Sequence, residues 1–291
     1  MAAPLLVLVA CLAGIFTVDD DGPADFPDLT TAAGSPLVAD GDTLLIEPGT
    51  YGGLTLTKGL HLVAADERGY RLGDLVVDRV PSFSLVGAEV TSLTLTDIPG
   101  TALVDRCRVF ELSFVDGLDV HRSSHTTARR CADLVLQRSR FVGTDACYSG
   151  GPDYAEPAVI LSGTDAVIAS CILIGGEDEG LAGCGPHYPT AGEALRLEPG
   201  CEVVVSGSTL QAGGHWSTPQ VPAIDVQGSH LIVRGSHRDL LFCHPGTPAV
   251  VVDPTSSAVV GGTSLVPHWL QPEVAAPATP EPFLAIEGAG A

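Results

Sequence analysis

The chain has 291 residues, of which 45% are hydrophobic and only 5% are aromatic. It carries 14 basic against 35 acidic residues, and this net charge of −21 argues against nucleic acid, heparin-like polymers and anionic membranes as partners. A single elongated domain fits the composition, since each coil of a solenoid buries a narrow aliphatic core against its neighbours without needing large rings.

The first 16 residues, MAAPLLVLVACLAGIF, are apolar and uncharged, and an acidic run at Asp19–Asp21 follows them. They are too short to cross a bilayer, which takes about 20 apolar residues. We therefore predict that residues 1–16 are a secretory signal peptide, that the mature chain has no transmembrane segment, and that it is secreted or held in the cell envelope. The stretch LVAC also resembles a lipoprotein cleavage box, so a lipid anchor on Cys11 is the alternative.

A segment with its own pattern follows the acidic run. Residues 26–39 are mixed polar and apolar, and strands are predicted at 43–47, 54–57 and 60–64. The first coil of a solenoid exposes an apolar end that a terminal cap must cover. Residues 26–39 are the predicted cap.

Between residues 76 and 139 one short pattern recurs as VVDRV, LVDRC, DVHRS and VLQRS. Alternation of period two predicts a buried residue and an outward arginine in each copy. The predicted buried residues are Val77, Val104, Val120 and Leu136, and the outward arginines are Arg79, Arg106, Arg122 and Arg138. Seven arginines fall within 35 residues: Arg106, Arg108, Arg122, Arg129, Arg130, Arg138 and Arg140. We interpret them as a solvated outward ladder that pairs with Asp105, Asp116, Asp119 and Asp133, and a local basic patch is the alternative.

Four longer copies begin at Pro157, Glu193, Pro222 and Pro248. Each contains a strand that starts near an alanine, a turn with glycine or proline, and a valine-rich strand. They close on residues 171, 208, 236 and 263, which are 37, 28 and 27 residues apart. Repeats of about 20 to 50 residues are typical of solenoids and propellers.

These units predict an all-β solenoid. Their inward positions are aliphatic or small, their turns carry glycine, proline, aspartate and serine, and no stretch keeps helical periodicity for three turns. A β-propeller, the alternative, needs blades of about 40 residues with four strands each. Since the units show two clear strands and no hairpin signal, a parallel β-helix is favoured.

The stretch GDTLLIEPGTY (residues 41–51) with its preceding cap resembles the opening coil of the pectin-lyase-like superfamily of right-handed parallel β-helix proteins. The preceding VDDDGPADFPDL resembles the start of secreted bacterial β-helix proteins. The resemblance implies a right-handed parallel β-helix with a short N-terminal cap. It leaves the function open, because that superfamily includes polysaccharide lyases, glycoside hydrolases, epimerases, adhesins and phage tailspikes.

Four predicted insertions interrupt the later repeats, at residues 143–156, 175–192, 212–221 and 237–247. Insertions at equivalent points of a solenoid project from one face. Aromatic rings that stack on sugars and carboxylates that accept hydroxyl groups or hold Ca²⁺ are concentrated here. The candidate ligand-binding residues are Tyr148, Tyr154, Glu177, Asp178, Glu179, His187, Tyr188, His215 and Trp216. Polar loop residues that merely face water are the alternative.

The cysteines fall into two groups. Cys107 and Cys171 occupy the inward small-residue positions and are interpreted as packed thiols. Cys147 and Cys184 lie in insertions that a solenoid would stack, so they are the candidate disulfide. No CxxC pair occurs, and no metal site is predicted from the cysteines.

A polysaccharide lyase would need carboxylates that hold Ca²⁺ and a base that removes a proton from the sugar. The candidates are Asp105, Asp119, Asp133, Arg122 and Arg138. Arginine is a poor base because its pKa lies above about 12. A hydrolase would need two carboxylates about 5 to 9.5 Å apart, which many pairs on adjacent coils would satisfy.

The predicted organisation is a signal peptide (1–16), a β-helix domain (17–268), a linker rich in proline and alanine (269–282), and the start of a truncated C-terminal unit (283–291). The expected function is that of a monomeric, non-enzymatic scaffold or adhesin-type protein. Its expected partner is a polysaccharide or cell-envelope glycan, bound through loops at 143–247. A carbohydrate-active enzyme of the same fold, a polysaccharide lyase or a glycoside hydrolase, is the alternative.

Overall fold

The computed structural model describes residues 13–66, 69–109, 126–143, 155–176, 191–213, 221–234, 240–243, 248–261 and 264–267. Within these ranges the chain forms a right-handed parallel β-helix, which confirms the predicted fold class. Each full coil contributes one strand to each of three sheets, and all strand pairs are parallel. The repeat unit therefore has three strands, whereas the sequence pattern showed two.

The three sheets are named in the order in which each coil enters them. The first sheet contains β1 (Ile15–Val18), β2 (Thr43–Ile46), β5 (His61–Ala64), β8 (Phe83–Val86), β11 (Thr101–Asp105), β14 (Asp133–Gln137), β17 (Asp165–Ala169), β20 (Glu202–Ser206), β23 (His230–Arg234) and β26 (Ser257–Gly261). The second contains β3 (Thr50–Tyr51), β6 (Tyr70–Leu72), β9 (Ala88–Val90), β12 (Arg108–Val109), β15 (Arg140–Val142), β18 (Ile172–Ile174), β21 (Thr209–Gln211), β24 (Leu240–Cys243) and β27 (Ser264–Pro267). The third contains β4 (Leu54–Leu56), β7 (Leu75–Asp78), β10 (Leu93–Thr96), β13 (Thr126–Arg129), β16 (Val159–Ser162), β19 (Leu195–Leu197), β22 (Ile224–Val226) and β25 (Val250–Val252).

The core is a set of aliphatic columns that run along the solenoid. Val104, Leu136, Ile168, Val205 and Val233 lie in register on five consecutive strands of the first sheet, and all are buried. The alternate residues of these strands face outward, as period two requires. A column one side chain wide leaves little room for aromatic rings, which explains their scarcity.

The N-terminal end of the core is covered by residues around α1 (Leu29–Gly34). Asp28 caps this helix, accepting a hydrogen bond from the Thr31 backbone N–H. Leu29 and Ala32 are buried against the first coils. The predicted cap is therefore present. β1 precedes the first full coil and pairs with β2. It includes Ile15 and Phe16, the last two residues of the predicted signal peptide.

Two of the three corners are tight. The first corner, between the first and second sheets, places Arg106 (φ 54°) and Arg138 (φ 48°) in the left-handed region. The third corner, between the third and first sheets, does the same with Arg79 (φ 54°) and Arg130 (φ 51°). The prediction that arginines 79, 106 and 138 face outward is right, but they are corner residues and Arg79 lies at a different corner. The two corners share one sequence pattern, and the pattern alone does not distinguish them.

The small residue after each tight corner faces inward and links successive coils. Ser208 Oγ accepts a hydrogen bond from the Cys171 N–H at 3.1 Å and donates to the Ser206 carbonyl at 3.0 Å. Ser139 bridges in the same way between the Cys107 N–H and the Gln137 carbonyl. Cys107 and Cys171 are buried free thiols, as predicted. The corner column therefore satisfies backbone groups that the turn would otherwise leave buried without partners.

Replacing Ser208 with alanine is expected to reduce the free energy of unfolding by about 1–3 kcal/mol, because the buried Cys171 N–H loses its acceptor. Chemical denaturation of the purified variant measures this loss. Ser206→Ala is the matched control, since that partly exposed side chain lies only two residues earlier, at the end of β20. Equal effects for the two variants would contradict the assigned role of Ser208.

Candidate functional site

Long connections are concentrated at the second corner, where the chain passes from the second to the third sheet. Between β3 and β4 this corner consists of Gly52 and Gly53 alone. From the fourth coil onward the connections lengthen, to residues 110–125, 143–158, 175–194 and 212–223. Three of the four predicted insertions therefore start and end at one corner of consecutive coils.

The fourth predicted insertion, residues 237–247, has a different structure. It contains β24, which pairs with β21 in the second sheet. Part of the segment is therefore a rung of the solenoid, and the prediction of a continuous loop is wrong there. The strands of the second sheet are short, and the repeat pattern in the sequence does not reveal them.

Backbone hydrogen bonds join the stems of the three connections. The Gly143 N–H donates to the Ile174 carbonyl at 2.8 Å, and the Gly175 N–H donates to the Gln211 carbonyl at 2.8 Å. Across the stems, Gly192 donates to the Gly176 carbonyl at 3.0 Å and Gly213 to the Gly192 carbonyl at 2.9 Å. The first two connections thus begin from a base that is bonded to the next coil, and the third begins at a glycine that is bonded to the preceding connection.

Glycine is required at these stems because no space exists for a side chain. A Cβ at Gly213 would overlap the Gly176 carbonyl, and one at Gly175 would overlap the Gly192 carbonyl. A Cβ at Gly143 or Gly192 would overlap the Glu156 carbonyl. Backbone conformation is not the reason, since none of these four residues has a positive φ. We call these four residues the glycine stack.

Most of the predicted binding residues lie outside the described residues. This applies to all nine candidate ligand-binding residues, to both cysteines of the candidate disulfide, and to Asp119, Arg122 and Val120. Their roles stay predictions. The segments that carry the ligand-binding candidates are anchored at the described residues: 144–154 and 177–190 start and end beside the glycine stack, and 214–220 starts beside it.

Two of the candidate catalytic residues form an ion pair. Arg138 donates to both carboxylate oxygens of Asp105, through Nε at 2.8 Å and Nη2 at 2.6 Å. The Asp105 side chain is only 8% exposed, and Arg106 Nε approaches it at 3.3 Å. A buried carboxylate held by two guanidinium groups is a structural ion pair, with no accessible oxygen for Ca²⁺ or a sugar.

Asp133 lies far from this pair. It is paired in register with Thr101, at the start of β14, whereas Asp105 is paired with Gln137 at the other end. Five residues of extended strand separate Asp133 from Arg138, about 16 Å at roughly 3.3 Å per residue. The three described candidates of the lyase hypothesis therefore do not converge on one site.

Of the carboxylates predicted to pair with the arginine ladder, Asp105 does so, whereas Asp116 and Asp119 lie outside the described residues. Arg130 donates to Asp97 through Nε at 2.5 Å and Nη2 at 2.9 Å, and Arg79 donates to Asp78. The hydrogen bonds from Arg130 lower the pKa of Asp97. Asp97 was missed by sequence reasoning. It occupies the third corner one coil before Arg130, so aligning TDI (96–98) with RRC (129–131) would have found it.

Three carboxylates gather near the N-terminus. Ligand oxygens of Asp19, Asp20 and Asp21 lie within 4.8 Å of one another, an arrangement that oxygen-seeking cations such as Ca²⁺ prefer. Asp19 also accepts a hydrogen bond from the Asp21 N–H, and Asp20 accepts one from the Thr50 N–H. These bonds order the turn between β1 and the cap, which is sufficient to explain the cluster.

Comparisons with protein-family models, with characterised proteins and with solved structures found no match to this chain. Among the residues that the structure describes, no helix is long and apolar enough to cross a membrane. The function is therefore inferred from the geometry of the second corner and from the residues that its connections carry.

Proposed function

We propose that this chain is a non-enzymatic scaffold or adhesin-type protein of the extracellular space or cell envelope. In this proposal it contacts glycans through the connections between residues 143 and 247. The observation that carries the proposal is the glycine stack, which lies at the described ends of three successive long connections at one corner. The opening-coil resemblance and the fold together support membership of the pectin-lyase-like superfamily as part of the same proposal.

The hydrogen-bonded glycine stack gives the connections a rigid base, and such a base favours binding by loops. Ordering a loop on binding costs conformational entropy, and this cost falls when both ends of the loop are already fixed. Fixed ends on adjacent coils also place neighbouring loops side by side, so that one extended polymer can contact several of them. Trp216, Tyr188 and Tyr154 belong to three different connections, and each offers a ring for stacking on a sugar face.

The ion pair at Asp105 favours the scaffold over the enzyme. Arg138 donates to the Asp105 carboxylate through Nε and Nη2, and this carboxylate is buried beneath it. Neither group is free to move a proton to or from a sugar. Asp105 and Arg138 thus neutralise each other at the first corner.

The proposal is tested by screening the purified chain against neutral and acidic polysaccharides, with Ca²⁺ and with EDTA. Binding, new reducing ends and unsaturated products are measured in parallel. We expect binding without product, and Trp216→Ala should weaken the binding of neutral polysaccharides by about tenfold, as removal of an aromatic anchor commonly does.

Trp269→Ala is the matched control, because it removes the chain's other tryptophan from outside the connections. Formation of unsaturated or reducing product would overturn the non-enzymatic assignment. Binding that Trp216→Ala and Trp269→Ala reduce equally would argue against the connections as the contact surface.

A further inference from the structure

An outward column of the second sheet carries a local excess of positive charge. Arg71, Glu89, Arg108, Arg140 and Ile172 lie in register on five consecutive strands. Adjacent strands of a sheet are roughly 4.8 Å apart. Arg108 and Arg140 are therefore direct neighbours, and like charges directly opposite each other destabilise a sheet.

Two more arginines flank this pair at the first corner. Arg106 precedes Arg108 by two residues and Arg138 precedes Arg140 by two, so each coil presents two guanidinium groups. We call Arg106, Arg108, Arg138 and Arg140 the arginine patch. Arg106 and Arg138 are 61% and 59% exposed in their side chains, and Arg108 and Arg140 are exposed residues.

The described carboxylates do not neutralise the patch. Asp105 is shared between Arg106 and Arg138. Glu89, the register neighbour of Arg108, is bonded to Arg71 at 3.1 Å. Within the described ranges, Arg108 and Arg140 have no carboxylate partner. A chain of net charge −21 thus presents a confined basic surface across two coils.

The patch adjoins a concave surface. A cavity of 670 Å³ is lined by Arg106 and Arg108 together with Asp66, Gly69, Gly87 and Glu89. Ala64, Ala65, Asp66, Gly69 and Tyr70 line one side of the cavity, and residues at the first corner of the next two coils line the other. Gly87 lines this cavity at the left-handed corner position, with φ 73° and no side chain.

We propose that the arginine patch binds an acidic polysaccharide through the carboxylate or sulfate groups of successive sugar units. The guanidinium group is planar and forms paired hydrogen bonds with such anions, and rows on adjacent strands repeat at a fixed spacing along the solenoid axis. The contact needs no Ca²⁺, since the arginine side chains supply the positive charge. It is separate from the glycan contact assigned to the long connections.

An acidic glycan suits the patch better than nucleic acid does. The overall field of the chain repels a polymer as densely charged as DNA, whereas a glycan with one charge per sugar unit meets less of that repulsion. The patch is also bounded, by the Arg71–Glu89 pair on one side and by the apolar Ile172 on the other. Contact is thus confined to a few sugar units.

The test measures binding of the purified chain to polygalacturonate, κ-carrageenan, neutral dextran and double-stranded DNA, in EDTA and at low ionic strength; both acidic glycans carry no more than one charge per sugar unit. We expect binding to one or both acidic glycans that weakens as salt is added, and none to neutral dextran. The two acidic polymers distinguish carboxylate from sulfate as the bound group. The double variant Arg108→Gln/Arg140→Gln should weaken binding about five- to thirtyfold, the size expected for two exposed ion pairs.

The matched control is Arg79→Gln/Arg234→Gln, which removes the same charge from exposed arginines outside the patch. Equal weakening by the two double variants, or no binding of either acidic glycan, would overturn the proposal. Tighter binding to DNA than to both acidic glycans would overturn the assignment of a glycan. Trp216→Ala should leave this binding unchanged, so that failure of the loop contact and failure of the patch are distinguishable.

Discussion

Gly213→Ala is expected to lower the free energy of unfolding by about 2–3 kcal/mol, because the added methyl group would overlap the Gly176 carbonyl. That carbonyl already accepts the Gly192 N–H, and neither backbone can move without breaking a bond between connections. The melting temperature should fall by about 5–10 °C, as measured by differential scanning calorimetry. Glycan binding through the connections should weaken as well, since their base would be distorted.

Gly52→Ala provides the matched control for this substitution. Gly52 lies at the same corner in the first coil, where a Cβ would have no atom within 4 Å. The melting temperature of the Gly52→Ala variant should equal that of the unsubstituted chain. A drop of the same size in both variants would show that the second corner tolerates no alanine in general, and the special role of the glycine stack would be refuted.

The folded chain is also expected to lose stability steeply above pH 9. Burial raises the pKa of the Cys107 thiol to about 12 and that of Cys171 to about 11. It also raises the pKa of Cys131 and Cys201 at the third corner, and that of Tyr70 well above its ordinary value. All these groups are more easily deprotonated in the unfolded chain than in the folded one.

The direction of the pH effect follows from proton linkage. Between pH 9 and 11 the unfolded chain releases thiol protons that the folded chain retains, so rising pH favours unfolding. The stabilisation that comes from the protonated buried thiols is complete below pH 9. It is lost as the pH rises toward the pKa of these thiols in the folded chain. Each retained proton contributes about 1.4 kcal/mol per pH unit, so Cys107 and Cys171 together account for about 5 kcal/mol by pH 11.

Denaturant titrations at a series of pH values, in the presence of a reductant, measure this loss. The double variant Cys107→Ser/Cys171→Ser should show a much shallower decline, because serine does not titrate in this range. Serine fits the site, since Ser139 and Ser208 occupy equivalent positions of the same corner column. An unchanged pH dependence in this variant would rule out the buried thiols as the cause.

Much of the candidate site was beyond sequence reasoning, and the reasons are physical. β12 has only two residues, too few to show alternation, so the second sheet was not recognised. Without that sheet, the register of Arg108 with Arg140 and the position of the long connections at one corner were not predictable. The pairing of Asp97 with Arg130 was missed because it joins residues 33 positions apart.

The sequence by itself determined the parallel β-helix, the capped N-terminal end and the inward aliphatic and small-residue columns. Alternation of period two and recurring turn residues are local properties, and a solenoid repeats them in every coil. Only the tertiary structure decided that Asp105 is buried under Arg138, that Arg108 and Arg140 are neighbours without described carboxylate partners, and that the glycine stack joins the stems of the connections. These contacts depend on the register between coils of unequal length, and period two within a strand does not fix that register.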